Sequence, residues 1–241
     1  MYTKKNPLQI FDSGILSAAE NMALDAKLLS ELDPNGLPLL HLYDWKRPSI
    51  TFGHFIQPKE FLHLDQLEMM GIDLARRPTG GGIVFHLWDL AFSFLMPANH
   101  PACSQNTLEN YEFVNRAVRK AVAKMGEGME LIPQDAPLMS LDCAKFCMAR
   151  PTIYDVVLQG RKIAGAAQRR TKLGYLHQGT ISLRAPDFDL LKRVLRSEEV
   201  LLAMKDFSYV STQVLTRQEI QQHLRQFLEE EITQNEISSL A

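Results

Sequence analysis

The chain has 241 residues, 46% of them hydrophobic and 22% charged, a globular balance that excludes a disordered, collagen-like or low-complexity protein. A formal net charge of -2 gives no broad basic field for holding nucleic acid or acidic lipid. Three cysteines are too few for a disulfide framework and indicate a reducing compartment, so the cytoplasm is expected. The N-terminal MYTKKNPLQIFDSG lacks the apolar stretch of a signal peptide, and nowhere do about 18 apolar residues run together. Residues 1–241 are therefore expected to form one domain, neither exported nor membrane-spanning.

From Ser17, Ala19, Met22, Ala23, Ala26 and Leu29 recur at helical spacing, and Ser17 with Glu20 matches a capping box. After the turn signal Asp33 to Gly36, the runs LPLLHLYDW, SITFG, IDLARR, IVFH and AFSFLMP read as strands. A second helix is predicted from Thr107 to Met125, with Val114, Val118, Ala121, Val122 and Met125 on one face. Ala136 to Arg150 shows no period. The strand-like YDVVLQ, KIAGAAQ and YLHQGTISL follow, then amphipathic helical patterns around Asp187 to Leu202 and Arg217 to Ile232, and a polar end. Together these predict an α+β (mixed α/β) fold, a mixed and mostly antiparallel sheet flanked by helices, with residues 184–241 as its helical completion.

Three segments could carry chemistry. In ARRPTGGGIVFH, Arg76 and Arg77 stand before Thr79 and the consecutive glycines Gly80, Gly81 and Gly82. Arginine offers a fixed fork to phosphate or carboxylate, and side-chain-free glycines let backbone amides converge on the same anion. A flexible turn with solvated arginines would read the same. In GRKIAGAAQRRTKLGYLHQGTISL, Lys162 lies within an apolar strand beside Ala164, Gly165, Ala166 and Ala167. A lysine there either has a buried partner beside room for a ligand, or reaches water from an edge strand. Cys143 and Cys147 stand about one helical turn apart with Cys103 far away; no ligand cluster for zinc accompanies them, and Cys147 is the better candidate nucleophile if a cation lies near it. His86 and His177 are either polar groups of a pocket or satisfied sheet residues.

The ordered series AENMALDAKLL, PSITFGHFIQP, RRPTGGGIVFH, PTIYDVVLQGRKIAGAAQRR and LHQGTISL, covering about Ser17 to Leu183, resembles the lipoate-protein ligase and octanoyltransferase superfamily, whose catalytic fold is shared with biotin-protein ligases. The resemblance implies an enzyme of protein lipoylation. Lipoate or octanoate would be attached to a lysine of lipoyl domains, in 2-oxoacid dehydrogenase E2 subunits or the glycine-cleavage H protein. It assigns acyl and phosphate binding to Arg76, Arg77, Thr79 and Gly80 to Gly82, with His86, Gly165, Ala166, His177 and Gly179 around them. Lys162 would act on the reacting carbonyl, and an acyl tunnel would run between the arginine-glycine loop and the Lys162 strand.

Two mechanisms divide the superfamily. In the ligase route ATP with Mg2+ activates the free acid as an acyl-adenylate; the triple glycine and Asp155, seven positions before Lys162 and a candidate Mg2+ ligand, favour it. Tyr154 stands where many ligases carry asparagine. In the octanoyltransferase route the acyl group arrives as a thioester on acyl carrier protein and passes through an enzyme cysteine, for which Cys147 in CMARPTIYD has the matching context, although such transferases usually carry arginine at the position of Gly82. The balance of these features leans to the ATP-dependent ligase, with the transferase as its alternative. A non-catalytic binder of lipoyl domains is a lesser one, because Lys162 and the glycine loop are both intact.

Overall fold

The computed structural model describes residues 6–209 and 215–238, so the last of the polar end and the first residues of the N-terminal reading lie outside it. The main sheet has seven strands in the order β1-β2-β6-β10-β9-β8-β7. They are β1 (Gln9–Leu16), β2 (Leu39–Trp45), β6 (Asp89–Pro97), β7 (Met129–Leu131), β8 (Val156–Leu158), β9 (Arg161–Thr171) and β10 (Gly174–Ser182). Within this sheet, among the described residues, only β1 and β2 pair in parallel, joined by helix α1 (Ala18–Ser30), and the other pairs are antiparallel. A separate three-stranded sheet, β4 (Asp73–Arg76), β3 (Ser49–Phe52) and β5 (Ile83–His86), stands beside it.

Strand alternation assigns each face. On β6 and β10, the opposed pairs Phe92/Gly179, Phe94/His177 and Met96/Tyr175 lie on one face. The aromatic and aliphatic members of these pairs pack with Phe113, Val114, Ala117 and Val118 of α3 (Thr107–Ala121) and with Ile220, Leu224, Leu228 and Ile232 of α6 (Arg217–Ser238). Each such side chain removed from water contributes roughly 1.5–3 kcal/mol. The pairs Ala91/Thr180, Ser93/Gln178 and Leu95/Leu176 lie on the opposite face, toward α1 and the small sheet. The small sheet sends Ile50, Phe52, Ile83 and Phe85 into a second core with α2 (Leu64–Met69), α4 (Phe188–Val194) and α5 (Glu198–Phe207). Its other face turns Thr51, Val84 and His86 back toward the main sheet, and the site forms in that gap.

The mixed sheet flanked by helices and the Ser17/Glu20 capping box are as expected. Several details differ. The predicted strands divide between two sheets. The buried stripe of α1 is Ala18, Asn21, Met22, Asp25 and Leu29, while Ala19 and Ala23 are exposed, because the helix also satisfies polar groups beneath it. The pattern from Asp187 to Leu202 is two helices broken at Leu195, whose backbone turns extended before Ser197 caps α5. Strands β1 and β7 and helix α2 carry no strong period; β1 is an edge strand with most of its side chains in water.

Candidate active site

The loop between β4 and β5 is held by Arg77, which is buried although charged. Its Nη1 donates to Thr51 Oγ1 at 2.8 Å, and its Nη2 donates to the carbonyls of Gly80 at 3.1 Å and Gly82 at 2.6 Å. Burial lowers the guanidinium below its ordinary pKa, while attraction to and a hydrogen bond with the Cys147 side chain act in the opposite sense. Gly53 N donates to Gly82 O and His54 N to Thr79 O, so the loop is stitched to the end of β3. Thr79 Oγ1 donates to Gln178 Oε1 at 2.6 Å, tying the loop across to β10.

Cys147 arrives by a different route. A short turn at Cys143–Lys145 ends in Phe146, which is buried against Phe61 and Phe85; Cys147 N then donates to Ile83 O at 3.1 Å. The spacing of Cys143 and Cys147 is therefore not that of a helix: Cys143 is a buried thiol of the second core, and Cys147 is half-buried in a turn that follows the Phe146 bridge to β5. Gly82 makes this approach feasible. A Cβ on it would fall 2.3 Å from Lys145 O and 2.5 Å from Lys145 C, which are backbone atoms with little room to yield. Cys147 lines a narrow slot with Met22, Tyr43, Val84, Gly165 and Ala167, and the slot holds about 20 Å³ of free volume, the size of a single water.

Behind Gly165 stands Lys162, 3% exposed, its Nζ 2.7 Å from Asp155 Oδ2. Strand β9 carries an extra residue against β8: Val156 pairs with Ala164 and Val157 with Lys162. This bulge turns Ile163 and Ala164 together into the α3 core and puts Lys162 on the same face as Gly165. The ammonium passes so close that a Cβ on Gly165 would lie 2.5 Å from Nζ. Lys162 is thus neither an edge lysine reaching water nor itself on the slot surface; it is a paired cation behind a glycine window.

Asp155 also accepts from Tyr111 Oη at 2.6 Å, Thr152 N at 2.6 Å and Thr152 Oγ1 at 2.9 Å. The preceding Tyr154 has a φ of 64°, a costly conformation for a residue with a side chain, held by Tyr154 N to Ile132 O and Asn115 Nδ2 to Tyr154 O. With its oxygens committed to a lysine, a tyrosine and a threonine, Asp155 does not fit the role of Mg2+ ligand, and among the described residues no group of three His, Cys, Asp or Glu side chains is arranged to hold a metal.

The other expected residues divide. His86, Gly165, Ala166 and Gly179 line the slot. Thr79 and Gly80 to Gly82 form its supporting loop. Arg76 is exposed and turned away, its Nη1 donating to the carbonyls of His54 and Ile56 and its guanidinium lying over the Phe52 ring. His177 is on the opposite face of β10, bonded to Gln168 and near Phe92 and Tyr111; burial pushes its pKa down to about 3, so it is a neutral core residue. Sequence reasoning missed Thr51, Asp89, Gln178 and Tyr111, whose partners come from distant strands, and Asp25. Asp25 accepts from Ser93 and from Gln178 Nε2, and its other oxygen lies 2.8 Å from His41 Nδ1. Asp25 alone left a signal, a carboxylate on the apolar stripe that also carries Met22 and Leu29.

A half-buried thiol facing a narrow slot between an arginine-bound glycine loop and a buried lysine is an arrangement suited to acyl-group transfer. The chain belongs to the lipoyl protein ligase A/B catalytic domain family, whose model matches residues 17–239, and is an enzyme of the lipoate-protein ligase and octanoyltransferase kind. Among curated proteins it is 32% identical over 189 residues to the octanoyltransferase LipM of Carboxydothermus hydrogenoformans, covering 78% of this chain and 69% of that one. To the octanoyltransferase LipM of Geobacillus kaustophilus it is 30% identical over 241 residues, 98% of this chain and 80% of that one. Among solved structures, a Thermoplasma acidophilum protein with bound lipoic acid superposes with a TM-score of 0.66 at 26% identity, covering 95% of this chain and 86% of that one. A bipartite lipoate protein ligase of the same organism, with TM-score 0.71 at 22% identity over 94% and 84% of the two chains, shares the fold.

Proposed function

We propose that this chain transfers an octanoyl group from the thioester of a carrier protein to a lysine of a lipoyl domain, through a thioester on Cys147. The observation that carries this reading is the Cys147 thiol opening into the slot beside the Arg77 guanidinium. A neighbouring cation favours the thiolate, the form that attacks. The thiolate adds to the carrier thioester, and the carrier thiol leaves with the proton that Cys147 gives up. The neutral amine of the acceptor lysine then attacks the Cys147 thioester; the new amide forms, the amine loses a proton and the Cys147 thiol is regenerated. Lys162, held behind Gly165, supplies positive charge for the oxyanion in both steps. Met22 on the slot wall is an adaptable side chain, suited to making room for the acyl chain.

The similarity to octanoyltransferases supports this reading over the ATP-dependent ligase that the triple glycine and Asp155 had favoured, and Asp155 is committed to Lys162. We therefore assign no ATP or Mg2+ requirement. Acyl carrier protein is the donor in this reading, and the acceptors are lipoyl domains such as those of E2 subunits or the glycine-cleavage H protein. We further take residues 1–241 as one catalytic domain, with 184–241 completing it, working in the cytosol that its unpaired cysteines favour. Among the described residues no helix is long and apolar enough to cross a membrane.

The test is acylation of a purified lipoyl domain, read by mass, with octanoyl carrier protein and no ATP against free octanoate or lipoate with Mg-ATP. Transfer from the carrier that disappears in Cys147→Ser is the expected result. Product only with ATP, unchanged in Cys147→Ser, would return the chain to the ligases.

A further inference from the structure

Arg77 is held by a chain of hydrogen bonds whose donors can be counted. A guanidinium only donates, so Thr51 Oγ1 accepts from Arg77. Thr51 Oγ1 is also 2.7 Å from His86 Nε2, and its single proton is free for that bond. On the far side of the ring, His86 Nδ1 lies 2.7 Å from Asp89 Oδ2, a carboxylate oxygen that also accepts from Thr180 Oγ1. The carboxylate keeps the proton on Nδ1, which leaves Nε2 as the acceptor for Thr51. Trp45 stacks on the imidazole at 4.4 Å and holds its plane. The charged and titratable groups around the chain are Arg77, Cys147 and Tyr43 at one end and Asp89 at the other, with Arg217 Nη2 donating to Asp89 O. Both nitrogens of His86 are occupied, so it holds no free lone pair for a substrate although it borders the slot.

Resting on the octanoyltransferase reading, we propose that Asp89, His86 and Thr51 are positioning residues that fix Arg77 beside the Cys147 sulfur. Asp89 sets which imidazole nitrogen bears the proton; that nitrogen's opposite number takes the Thr51 proton; Thr51 is thereby left as a pure acceptor toward Arg77. Any break lets the Thr51 hydroxyl turn its proton toward the guanidinium, a donor facing a donor. Arg77 then keeps its charge and its Nη2 bonds to Gly80 and Gly82 but loses the bond that aims Nη1.

The readout is the pH dependence of iodoacetamide alkylation of Cys147 in the full chain, followed by mass of the Cys147 peptide. Thr51→Val, which keeps the shape and loses the hydroxyl, is expected to raise the midpoint by about one pH unit, seen as about ten-fold slower alkylation below it. Thr51→Ser should restore the wild-type midpoint, and Asp89→Asn should raise it as Thr51→Val does, which keeps the test open should Thr51→Val fail to fold. A folded Thr51→Val or Asp89→Asn chain with the wild-type midpoint would overturn the proposal. Octanoyl transfer that does not need Cys147 would overturn the transferase reading instead, and the two failures are separate measurements.

Discussion

Gly165→Ala inserts one methyl group between the slot and the lysine behind it. The new carbon would stand 2.3 Å from Lys162 Cε, 2.5 Å from Nζ and 2.7 Å from Asp155 Oδ1, whereas comfortable contact is about 3.5–4.0 Å. The ammonium must therefore retreat by about 1 Å or more. Overfilling a tight interior costs about 1–3 kcal/mol, and the loss stays in that range because the lysine moves and is not deleted. For the reaction, a misplacement of about 1 Å in a charge that meets the transition state corresponds to about 100-fold in rate. The assay is a double-mutant cycle on octanoyl transfer, with urea unfolding of each variant alongside. If the methyl acts through Lys162, Gly165→Ala slows the wild type about 100-fold and adds little to Lys162→Ala. Equal slowing in both backgrounds would show that the methyl obstructs the acyl chain, and the reasoning about Lys162 would fall.

In Gly82→Ala the added carbon meets the Lys145 backbone, so the glycine loop and the Cys147 segment must separate; single-turnover acylation of Cys147 should fall about 100-fold, and an unchanged burst would refute the close approach. His177 has a pKa of about 3 in the folded chain against about 6.5 unfolded, so below pH 6.5 the unfolded state takes up a proton that the folded state refuses. Stability from this residue falls with acidification, approaching about 1.4 kcal/mol per pH unit below pH 6, and urea unfolding from pH 7 to pH 5 should show a shallower slope in His177→Leu.

Sequence periodicity was enough for the parts of the fold that bury one regular stripe. Helix α3 is an example: Val114, Val118 and Ala121 recur at its spacing and all are buried. It was not enough for β1, where the side chains are mostly wet and the strand exists through backbone bonds to β2. At the site, residue types drew attention to the loop, the lysine and Cys147, because an arginine-glycine run, a lysine among alanines and a cysteine in the CMARPTIYD context stand out locally. What they could not give was partnership. Asp155 looked like a metal ligand until the bulge delivered Lys162 to it, and Thr51 looked like an ordinary strand residue until β5 set His86 beside it. His177 and Gln178 are neighbours in sequence, yet alternation sends one into the core and the other to the slot, and nothing local says which.

The bulge in β9 makes the lysine's role a matter of counting. Lys162 reaches Asp155 only because Ile163 occupies one more place than its partner strand provides. A chain with every motif residue intact but one position fewer between lysine and glycine would still look like a member to a reader of letters, while its cation pointed into the oily side of the sheet. Spacing, more than spelling, is what this segment must preserve through insertion and deletion.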